Sequence, residues 1–321
     1  MTKRDGPSSL EERLAQRGLS RRDFLKFAGL MTATLALPAT YTSRVAKALL
    51  TATRPPVVWL AFQDCTGDSE SFLRANNPNV TSLLLETISL DYHETLMAPV
   101  GAMSEKSLMD TVNNYPGQYI AIVEGSIPTA NGGIHCTING QTALSRAQLV
   151  CSNALATIAV GSCAWDGGIA AAVPNPTGAL GVKDAVPGLP KLINLPGCPH
   201  NVINLAAVIT HYLTFRQWPP TDSQGRPTFA YGEDVHEECP RKDHFEAGRF
   251  VLAWGDAGHR QGWCMCKMGC KGPETKHNCP TVKWNDGTCW PVQAGHGCVG
   301  CAHEKFWDQM SPFYASVDCS D

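Results

Sequence analysis

The stretch from His236 to Cys301 constrains this chain most, because it is rich in cysteine and poor in continuous apolar sequence. Its spacings are His-x2-Cys at 236–239, Cys-x5-Cys at 264–270 and Cys-x2-Cys at 298–301, with Cys279 before the last pair. Glycines and prolines recur between these positions and break any long helix or strand. Such a segment buries little apolar surface, so we expect bound metal to contribute much of its folding free energy.

Three kinds of cysteine chemistry fit this segment. Disulfides are typical of cysteine-rich exported sequences. Zinc suits the His-x2-Cys and Cys-x2-Cys spacings. Iron–sulfur clusters are held by thiolates in similar runs. The C-terminal segment by itself leaves all three open.

Composition excludes some partners. The chain has 321 residues, which is enough for two domains, with a net charge of -3 and a pI of about 6.4. This charge gives no electrostatic basis for binding nucleic acid or an anionic membrane surface. No apolar segment approaches the roughly 20 residues that span a bilayer, so any membrane attachment is expected to come from a partner.

The N-terminus has the pattern of an export signal. Ser20-Arg21-Arg22-Asp23-Phe24-Leu25-Lys26 is a full twin-arginine match, followed by an apolar run at 27–38 and a small-x-small site at 46–48. This route carries proteins that have already folded around a cofactor, which favours a metal centre over disulfides alone. We expect residues 1–50 to be a leader and the protein to be periplasmic or associated with the cell membrane. The alternative is a cytoplasmic protein that retains its leader.

Short apolar runs and helical stretches alternate between Pro55 and residue 215. The runs lie at 57–62, 119–123, 155–160 and 192–195, with helices expected at 142–154 and 201–215. This alternation predicts a parallel sheet covered on both faces. Cys65, Cys163 and Cys198 each follow the end of a run. Because ligands bind outside the carboxyl ends of parallel strands, we expect these three cysteines to converge at one edge of the sheet.

The loop after the first run adds a carboxylate. Cys65-x2-Asp68 has the spacing of a Cys-x2-Cys pair in which an aspartate replaces the second thiolate. Three cysteines and one aspartate would make a set of four ligands. The alternative is that Asp68 caps a helix that begins near Ser69.

Taken together, these motifs resemble the small, electron-transferring subunit of a [NiFe] hydrogenase. The resemblance runs from Pro55 to about Tyr314, and the following segments carry it: Cys-Thr-Gly at 65–67, Val-Glu-Gly-Ser-Ile-Pro at 123–128, Gly-Ser-Cys-Ala at 161–164, Pro-Gly-Cys-Pro at 196–199, Lys-Met-Gly-Cys-Lys-Gly-Pro at 267–273 and Ala-Gly-His-Gly-Cys at 294–298. It implies an α/β protein with a flavodoxin-like parallel sheet domain at 51–215. An irregular, loop-rich iron–sulfur cluster domain at 216–321 would follow.

The resemblance also implies three clusters, with ligands carried over position by position. They are Cys65, Asp68, Cys163 and Cys198 for a proximal [4Fe–4S] cluster; Cys279, Cys298 and Cys301 for a medial [3Fe–4S] cluster; and His236, Cys239, Cys264 and Cys270 for a distal [4Fe–4S] cluster. Pro291 stands where the family has a proline in place of a fourth medial cysteine, so a three-iron medial cluster is expected. This chain would hold no catalytic residue. Hydrogen would be split at a Ni–Fe centre in a large subunit, and electrons would leave through an acceptor that docks near His236. A dimer of heterodimers is expected.

Two departures from the family pattern concern the proximal site. Asp68 replaces the usual cysteine, as in the actinobacterial-type (group 1h) uptake hydrogenases that this sequence resembles. Gly67 and Gly168 stand where the oxygen-tolerant membrane-bound subgroup has two extra cysteines. The unusual [4Fe–3S] cluster of that subgroup is therefore not expected.

The remaining cysteines and several other side chains receive secondary expectations. Five cysteines outside the ligand set are expected to be free thiols, with Cys266 also an alternative distal ligand: Cys136, Cys151, Cys266, Cys289 and Cys319. His200 and His296 are expected to hydrogen-bond to cluster sulfides or to the partner. Trp263, Trp284, Trp290 and Trp307 are expected to shield the clusters from water.

Two other functions stay open from the sequence. One is a structural zinc protein that acts as a binding module, and the other is an iron–sulfur subunit of a different oxidoreductase. Neither explains Cys163 and Cys198 as well as the hydrogenase interpretation does.

Overall fold

Five parallel strands form the central sheet of the computed structural model, which describes Leu14, 18–75, 80–285, 287–316 and Cys319. The strands are β1 (Pro56–Ala61), β2 (Ser89–His93), β3 (Ile120–Glu124), β4 (Ala156–Val160) and β5 (Leu192–Leu195). Their order in the sheet is β2-β1-β3-β4-β5. This is the flavodoxin-like order, which places a switch point between β1 and β3. The predicted parallel sheet is therefore confirmed.

The strands pair through apolar residues that are buried on both faces. Ile122 of β3 lies opposite Trp59 of β1 and Ile158 of β4, and Ile158 lies opposite Ile193 of β5. All four side chains are buried. The strand β2 was not predicted, because its sequence Ser-Leu-Asp-Tyr-His mixes polar and apolar residues, as an edge strand can.

Helices cover both faces of the sheet and continue towards the C-terminus. Their bounds are α1 (Arg21–Thr34), α2 (Thr42–Thr51), α3 (Gly67–Leu73), α4 (Val80–Thr87), α5 (Ala102–Asn114), α6 (Ala143–Ser152), α7 (Gly161–Asp166), α8 (Gly168–Ala171), α9 (Val182–Ala185), α10 (Val202–Phe215), α11 (Thr228–Tyr231), α12 (Lys242–Glu246), α13 (Ala257–Arg260), α14 (Cys279–Val282) and α15 (Phe306–Gln309). The predicted helices at 142–154 and 201–215 correspond to α6 and α10. The side chains of Thr142 and Asn201 cap their first turns.

Two strand pairs and four 3-10 turns complete the secondary structure. Ile127–Pro128 pairs with Ala179–Leu180, and Thr137–Ile138 pairs with Gln141–Thr142, both antiparallel. The 3-10 turns are Ala39–Tyr41, Ala130–Gly133, Cys266–Met268 and Gly272–Glu274.

The export signal packs as helix against the sheet domain. Ser20 caps α1 by accepting a hydrogen bond from the Asp23 N–H at 3.1 Å. Phe27 and Met31 of α1 are buried in the same apolar core as α10, whereas the twin arginines are exposed. The predicted cleavage motif at 46–48 lies within α2, where Ala46 is buried. Residues 1–13 and 15–17 of the predicted leader lie outside the described ranges. No described helix is long and apolar enough to span a membrane.

The segment after α10 contains little regular structure. Its described helices are four or five residues long, and loops connect them. Its own apolar cluster consists of Val235, Cys279, Trp290 and Val292. Four half-buried side chains pack against that cluster: Cys239, Cys270, Trp284 and Cys298. Cysteines thus take places that aliphatic side chains occupy in the sheet.

Candidate metal centres

The carboxyl edge of the sheet brings together the first predicted group of ligands. Cys65 follows β1, Cys163 lies in the first turn of α7 after β4, and Cys198 follows β5. Burial raises the pKa of the Cys198 thiol to about 12, and the nearby Cys301, Cys163, Asp68 and Cys65 side chains contribute to that increase, so these side chains are neighbours. The predicted convergence of the three cysteines is therefore found in the structure.

Glycine positions give the spacing within this first group. A Cβ on Gly67 would lie 3.0 Å from Cys65 Sγ, and a Cβ on Gly168 would lie 2.7 Å from Cys163 Sγ. A Cβ on Gly161, whose φ is +78°, would lie 2.1 Å from Asp68 Oδ2. Only glycine leaves room for the carboxylate at that position.

A buried glutamate holds the Asp68 loop through hydrogen bonds. The Glu124 carboxylate accepts hydrogen bonds from the N–H groups of Asp68 at 3.0 Å and Ser69 at 3.1 Å, and from Trp59 Nε1 at 3.0 Å. The Ser69 hydroxyl donates a further one at 2.5 Å. Burial raises the pKa of Glu124, and the nearby Asp68 carboxylate raises it further. Glu124 thus ties α3 to β1 and β3 at the switch point.

The Asp68 side chain does not cap α3. That helix begins at Gly67, earlier than predicted, and its N-cap residue is Thr66 in a left-handed conformation. Asp68 Oδ1 instead accepts hydrogen bonds from the backbone N–H of His200 at 2.6 Å and from its imidazole Nδ1 at 2.8 Å. The alternative of Asp68 as a helix N-cap is wrong. His200 was expected to bond to sulfide or to a partner, and it bonds to this carboxylate.

The second group, predicted to be distal, lines one cavity. His236, Cys239, Cys264 and Cys270 all face it, together with Arg241. A Cβ on Gly272 would lie 3.5 Å from Cys270 Sγ and 3.8 Å from His236 Cβ, which shows how close these two ligands are. Burial, together with the neighbouring thiols of Cys270 and Cys264, raises the pKa of Cys239 to about 11.

Arg241 was missed by the sequence analysis. Its side chain is buried, its N–H donates to Cys239 Sγ at 3.4 Å, and its Nη1 donates to the Trp263 carbonyl at 2.8 Å. Its positive charge lowers the pKa values of Cys239, Cys264 and Cys270 against the effect of burial. A basic residue two positions after a ligand cysteine was the available signal.

The third group, predicted to be medial, lies between the other two. Cys279 begins α14, and burial raises the pKa of its thiol, with further increases from Cys301 and Cys298. Its Sγ lies 2.9 Å from His277 Nδ1. Burial lowers the pKa of His277 to about 3, so this imidazole is neutral. Pro291 lines the same 1210 Å³ groove as the three medial cysteines.

Two hydrogen bonds join the three groups into a row. The Ser162 hydroxyl, next to Cys163, donates to the Cys301 carbonyl at 2.5 Å, which links the proximal group to the medial one. The N–H of Cys298 donates to Cys270 Sγ at 3.2 Å, which links the medial group to the distal one. The eleven predicted ligands thus form a continuous sequence of neighbours.

The donor chemistry fits iron–sulfur clusters. Burial raises the pKa of eight of the nine thiols predicted to be ligands: Cys163, Cys198, Cys239, Cys264, Cys270, Cys279, Cys298 and Cys301. Buried thiolates that face one another need a cationic group to compensate their charge, which metal binding supplies. Within the described ranges, no three His, Cys, Asp or Glu side chains are close enough to hold a single metal ion. A cluster differs from one ion because each of its irons takes its own thiolate.

One expectation about the other cysteines is wrong. Cys266 and Cys319 form a disulfide, with Cα atoms 6.0 Å apart and a sequence separation of 53. Cys266 is therefore neither a free thiol nor an alternative distal ligand. The other three cysteines outside the ligand set, Cys136, Cys151 and Cys289, are free as predicted. None of the nine ligand cysteines is in a disulfide.

Two of the predicted shielding tryptophans lie beside the Cys279 cluster, whereas Trp307 and His296 have other partners. Trp290 is buried beside Cys279, and Trp284 packs against the same cluster. Trp307 contacts the rings of Phe306 and Phe313. His296 lies 3.1 Å from the Tyr314 hydroxyl through Nε2 and 3.0 Å from the Gly297 carbonyl through Nδ1. The role of these tryptophans as water shields stays a prediction.

Three family models match the chain. The one for the C-terminal region of the NiFe/NiFeSe hydrogenase small subunit matches 231–314. The one for the NADH ubiquinone oxidoreductase 20 Kd subunit matches 65–212. The twin-arginine translocation pathway signal sequence matches 18–38. The last match confirms the predicted export signal.

Relatives and solved structures agree with these models. The chain is 48% identical over 312 residues to the periplasmic [NiFe] hydrogenase small subunit 1 of Nitratidesulfovibrio vulgaris, covering 97% of this chain and 98% of that one. It is 44% identical over 301 residues to the uptake hydrogenase small subunit of Azotobacter vinelandii, covering 94% and 84%. The [NiFeSe]-hydrogenase of Dm. baculatum matches with a TM-score of 0.75 and 33% identity, over 83% of this chain and 100% of that one.

The actinobacterial-type NiFe-hydrogenase of Ralstonia eutropha H16 is also a structural neighbour. It matches with a TM-score of 0.74 over 83% of this chain and 84% of that one. The sequence identity is 24%, so this likeness is one of fold.

The flavodoxin-like sheet and the row of buried thiols define an electron-transfer subunit of an oxidoreductase. With 48% identity to such a protein over nearly the whole of both chains, this chain belongs to the [NiFe] hydrogenase small subunit family. It is the electron-transferring member of a heterodimer whose other member is the hydrogenase large subunit. The prediction of family, fold and electron-transfer role is confirmed, and the family carries iron–sulfur clusters.

Proposed function

We propose that this chain relays electrons from H2 oxidation in the large subunit through three clusters in a row. The proximal [4Fe–4S] cluster would be held by Cys65, Asp68, Cys163 and Cys198; the medial [3Fe–4S] cluster by Cys279, Cys298 and Cys301; and the distal [4Fe–4S] cluster by His236, Cys239, Cys264 and Cys270. Two hydrogen bonds carry the proposal, that of the Ser162 hydroxyl, beside Cys163, with the Cys301 carbonyl and that of the Cys298 N–H with Cys270 Sγ. Each bond joins segments that hold ligands of successive clusters.

The side chains of this subunit hold the clusters and set their environment. When bound, the clusters accept and release single electrons. Hydrogen bonds to ligand sulfur, such as those from the N–H groups of Arg241 and Cys298, raise the potential of the site they reach. Trp290 and Val292 pack beside the medial and distal thiols and would exclude water from them. No residue of this chain makes or breaks the H–H bond.

The proximal site of the proposal is an ordinary cluster with one carboxylate ligand. Extra cysteines at Gly67 and Gly168 would begin with a Cβ only 3.0 Å and 2.7 Å from the ligand sulfurs of Cys65 and Cys163. Their absence supports a [4Fe–4S] cluster over the [4Fe–3S] form. Any resistance to oxygen would need another origin.

The chain would consist of a leader at 1–50, a domain at 51–215 with the proximal cluster, and a domain at 216–321 with the other two. The signal sequence supports export to the periplasm, in association with the cell membrane through a partner. The half-buried His236 would lie beneath the docking site of the electron acceptor. Two heterodimers would pair in the assembled enzyme.

Metal analysis and spectroscopy of the purified heterodimer test the proposal. We expect nickel, a large excess of iron, acid-labile sulfide, and three distinct iron–sulfur signals by electron paramagnetic resonance during a redox titration. Cys198→Ser should change the proximal signal, and Cys270→Ser the distal one. The matched control is Cys151→Ser, because Cys151 is a buried free thiol within the sheet domain.

Zinc in place of iron and sulfide would contradict the proposal. Loss of all three signals in Cys151→Ser would show that the signals report folding rather than ligand identity.

A further inference from the structure

His200 has the most completely buried imidazole beside the predicted ligands of the sheet domain. It is 0% exposed, and its ring centre lies 6.3 Å from that of Trp59. Its ring Nε2 has no hydrogen-bond partner among the described residues. A single polar contact of the ring, that of Nδ1 with Asp68, therefore fixes its orientation.

That contact acts on one oxygen of the carboxylate. Asp68 Oδ1 accepts both the His200 N–H at 2.6 Å and the Nδ1–H at 2.8 Å. Two donors at these distances satisfy Oδ1 and hold the plane of the carboxylate in place. Both bonds end on Oδ1, so the second oxygen, Oδ2, accepts neither of them and is available to bind a metal.

The second oxygen lies on the side of the glycine loop. A Cβ on Gly161 would lie 2.1 Å from Oδ2 and 2.8 Å from Oδ1, and Gly161 opens the helix that carries Cys163. The Asp68 carboxylate also raises the pKa values of the buried Cys163 and Cys198 thiols, so it lies near both. Oδ2 is thus the oxygen nearer to the turn that leads to Cys163, while Oδ1 is bonded to His200.

The surroundings explain why a donor is needed. Besides the three cysteines, a buried carboxylate lies near Asp68. It is that of Glu124, whose Oε1 accepts a hydrogen bond from the Asp68 N–H at 3.0 Å. Two carboxylates and the three cysteines, once these are thiolates, repel one another, and His200 is the basic side chain in the described structure that bonds to Asp68. Without it, the carboxylate could rotate or bind through both oxygens.

We propose that His200 is a positioning residue of the proximal site, which holds Oδ1 of Asp68 so that Oδ2 is the atom that binds iron. This inference rests on the proposed function, because it assigns the binding atom within the proximal ligand set. The contact on which it depends, His200 Nδ1 with Asp68 Oδ1, lies within this chain. It also implies a ligand set in which an aspartate works only together with the histidine that orients it.

The test is a redox titration of the heterodimer followed by electron paramagnetic resonance, in wild type and in His200 variants. Loss of a hydrogen bond to a ligand leaves more electron density on it and stabilises the oxidised cluster. His200→Leu should therefore shift the proximal potential to a lower value and alter its signal. His200→Asn places an amide N–H where Nδ1 stood and should stay close to wild type. His200→Gln places it beyond reach of Oδ1 and should behave like the leucine variant.

The Asp68→Cys background separates this proposal from the function on which it rests. There His200→Leu should add no further shift, because the carboxylate that it orients is gone. An equal shift in both backgrounds would overturn the role of His200. An Asp68→Cys variant with the wild-type spectrum would overturn it too, by removing Asp68 from the ligand set. Absence of iron–sulfur signals in wild type would overturn the proposed function itself.

Two controls complete the design. His211→Leu changes a histidine that bonds to the Gln217 carbonyl, away from the thiols, and should leave the proximal potential unchanged. If His200→Leu does not fold, the comparison of His200→Asn with His200→Gln decides the matter. Identical potentials in that pair would contradict the proposal.

Discussion

The sheet region, 56–215, and the loop-rich region, 216–316, hold their folds by different means. In the sheet region, side chains of every central strand are fully buried, among them Val58, Ile122, Ile158 and Ile193. The loop-rich region has a small apolar cluster in which cysteines stand beside Val235, Trp290 and Val292. Apolar burial stabilises the first region, at about 25 cal/mol per Å². The second depends on what its thiols bind.

Predicted ligands of the proximal and medial sites meet at the boundary between the two regions. Cys198 follows the last strand of the sheet, and Cys301 belongs to the loop-rich region. The Ser162 hydroxyl bonds to the Cys301 carbonyl at 2.5 Å and joins the two regions there. A rigid region thus positions one site and anchors the next.

Removal of iron should have the largest effect and should separate the two regions. Stripping iron from the heterodimer with a chelator and a reductant should unfold the loop-rich region, since metal binding supplies on the order of 10 kcal/mol in comparable small metal domains. Hydrogen exchange should show lost protection after α10 and retained protection in β1, β3, β4 and β5. An equal loss of protection in both regions would show that metal binding does not stabilise the loop-rich region selectively.

Loss of a buried ion pair should have the second largest effect on stability, and this effect should be confined to the sheet region. Arg146 is 1% exposed and bonds through Nη2 to both carboxylate oxygens of Glu105, at 3.0 and 2.9 Å. Arg146→Met leaves that carboxylate unpaired and should lower the free energy of unfolding by about 3–5 kcal/mol. Urea denaturation measures the loss, and iron content should not change. The control Lys106→Met breaks the exposed pair with Asp110 and should cost less than about 1 kcal/mol.

Acid should weaken the sheet region through His93. Burial lowers the pKa of this imidazole to about 4, from an ordinary value near 6.5. A lowered histidine pKa gives stability that is present above pH 6.5 and is lost as the pH falls towards 4, because the unfolded state binds the proton first. The loss should reach up to about 3 kcal/mol, at 1.36 kcal/mol per pKa unit.

The pH dependence of urea denaturation measures this effect. His93→Gln should reduce the slope between pH 6.5 and 4, while His277, whose pKa burial lowers to about 3, keeps part of it. The exposed His135→Gln variant is the control and should keep the wild-type slope. An unchanged slope in His93→Gln would assign the whole effect to other groups.

Loss of the disulfide should have the smallest effect. The Cys266–Cys319 bond closes a loop of 53 residues, for which about 2–4 kcal/mol is typical. The same loop contains Cys270, Cys279, Cys298 and Cys301, so bound clusters would already restrain it. Cys319→Ser should therefore cost only about 1 kcal/mol in the loaded heterodimer. A larger loss than that of Arg146→Met would show that covalent closure, rather than metal, holds this region.

The sheet could be predicted because its signal is local. Four runs of apolar residues gave four of the five strands, and the parallel arrangement then required Cys65, Cys163 and Cys198 to meet. The strand β2 was missed because Asp91 and His93 interrupt its apolar pattern at the sheet edge. Helix α3 begins at Gly67, before the predicted Ser69, because Thr66 adopts a left-handed conformation that its sequence does not indicate.

The contacts around the site could not be predicted in the same way. Asp68 and His200 are 132 positions apart, and Asp68 and Glu124 are 56 apart, so only the folded sheet brings them together. The Cys266–Cys319 pairing has no sequence signal, because spacing does not determine disulfide connectivity. The ligand set itself came from family resemblance, since thiolate spacing in the loop-rich region left zinc and disulfides open.

The bond between Cys298 and Cys270 has a consequence for the rate of transfer. Sγ, Cβ, Cα and N of Cys298 form an unbroken covalent path from the proposed medial site, and the N–H ends on the sulfur of Cys270 at 3.2 Å. An electron tunnelling between the medial and distal sites would cross bonds and one short gap rather than open space. Its speed would therefore depend on backbone geometry, which side-chain substitution leaves in place.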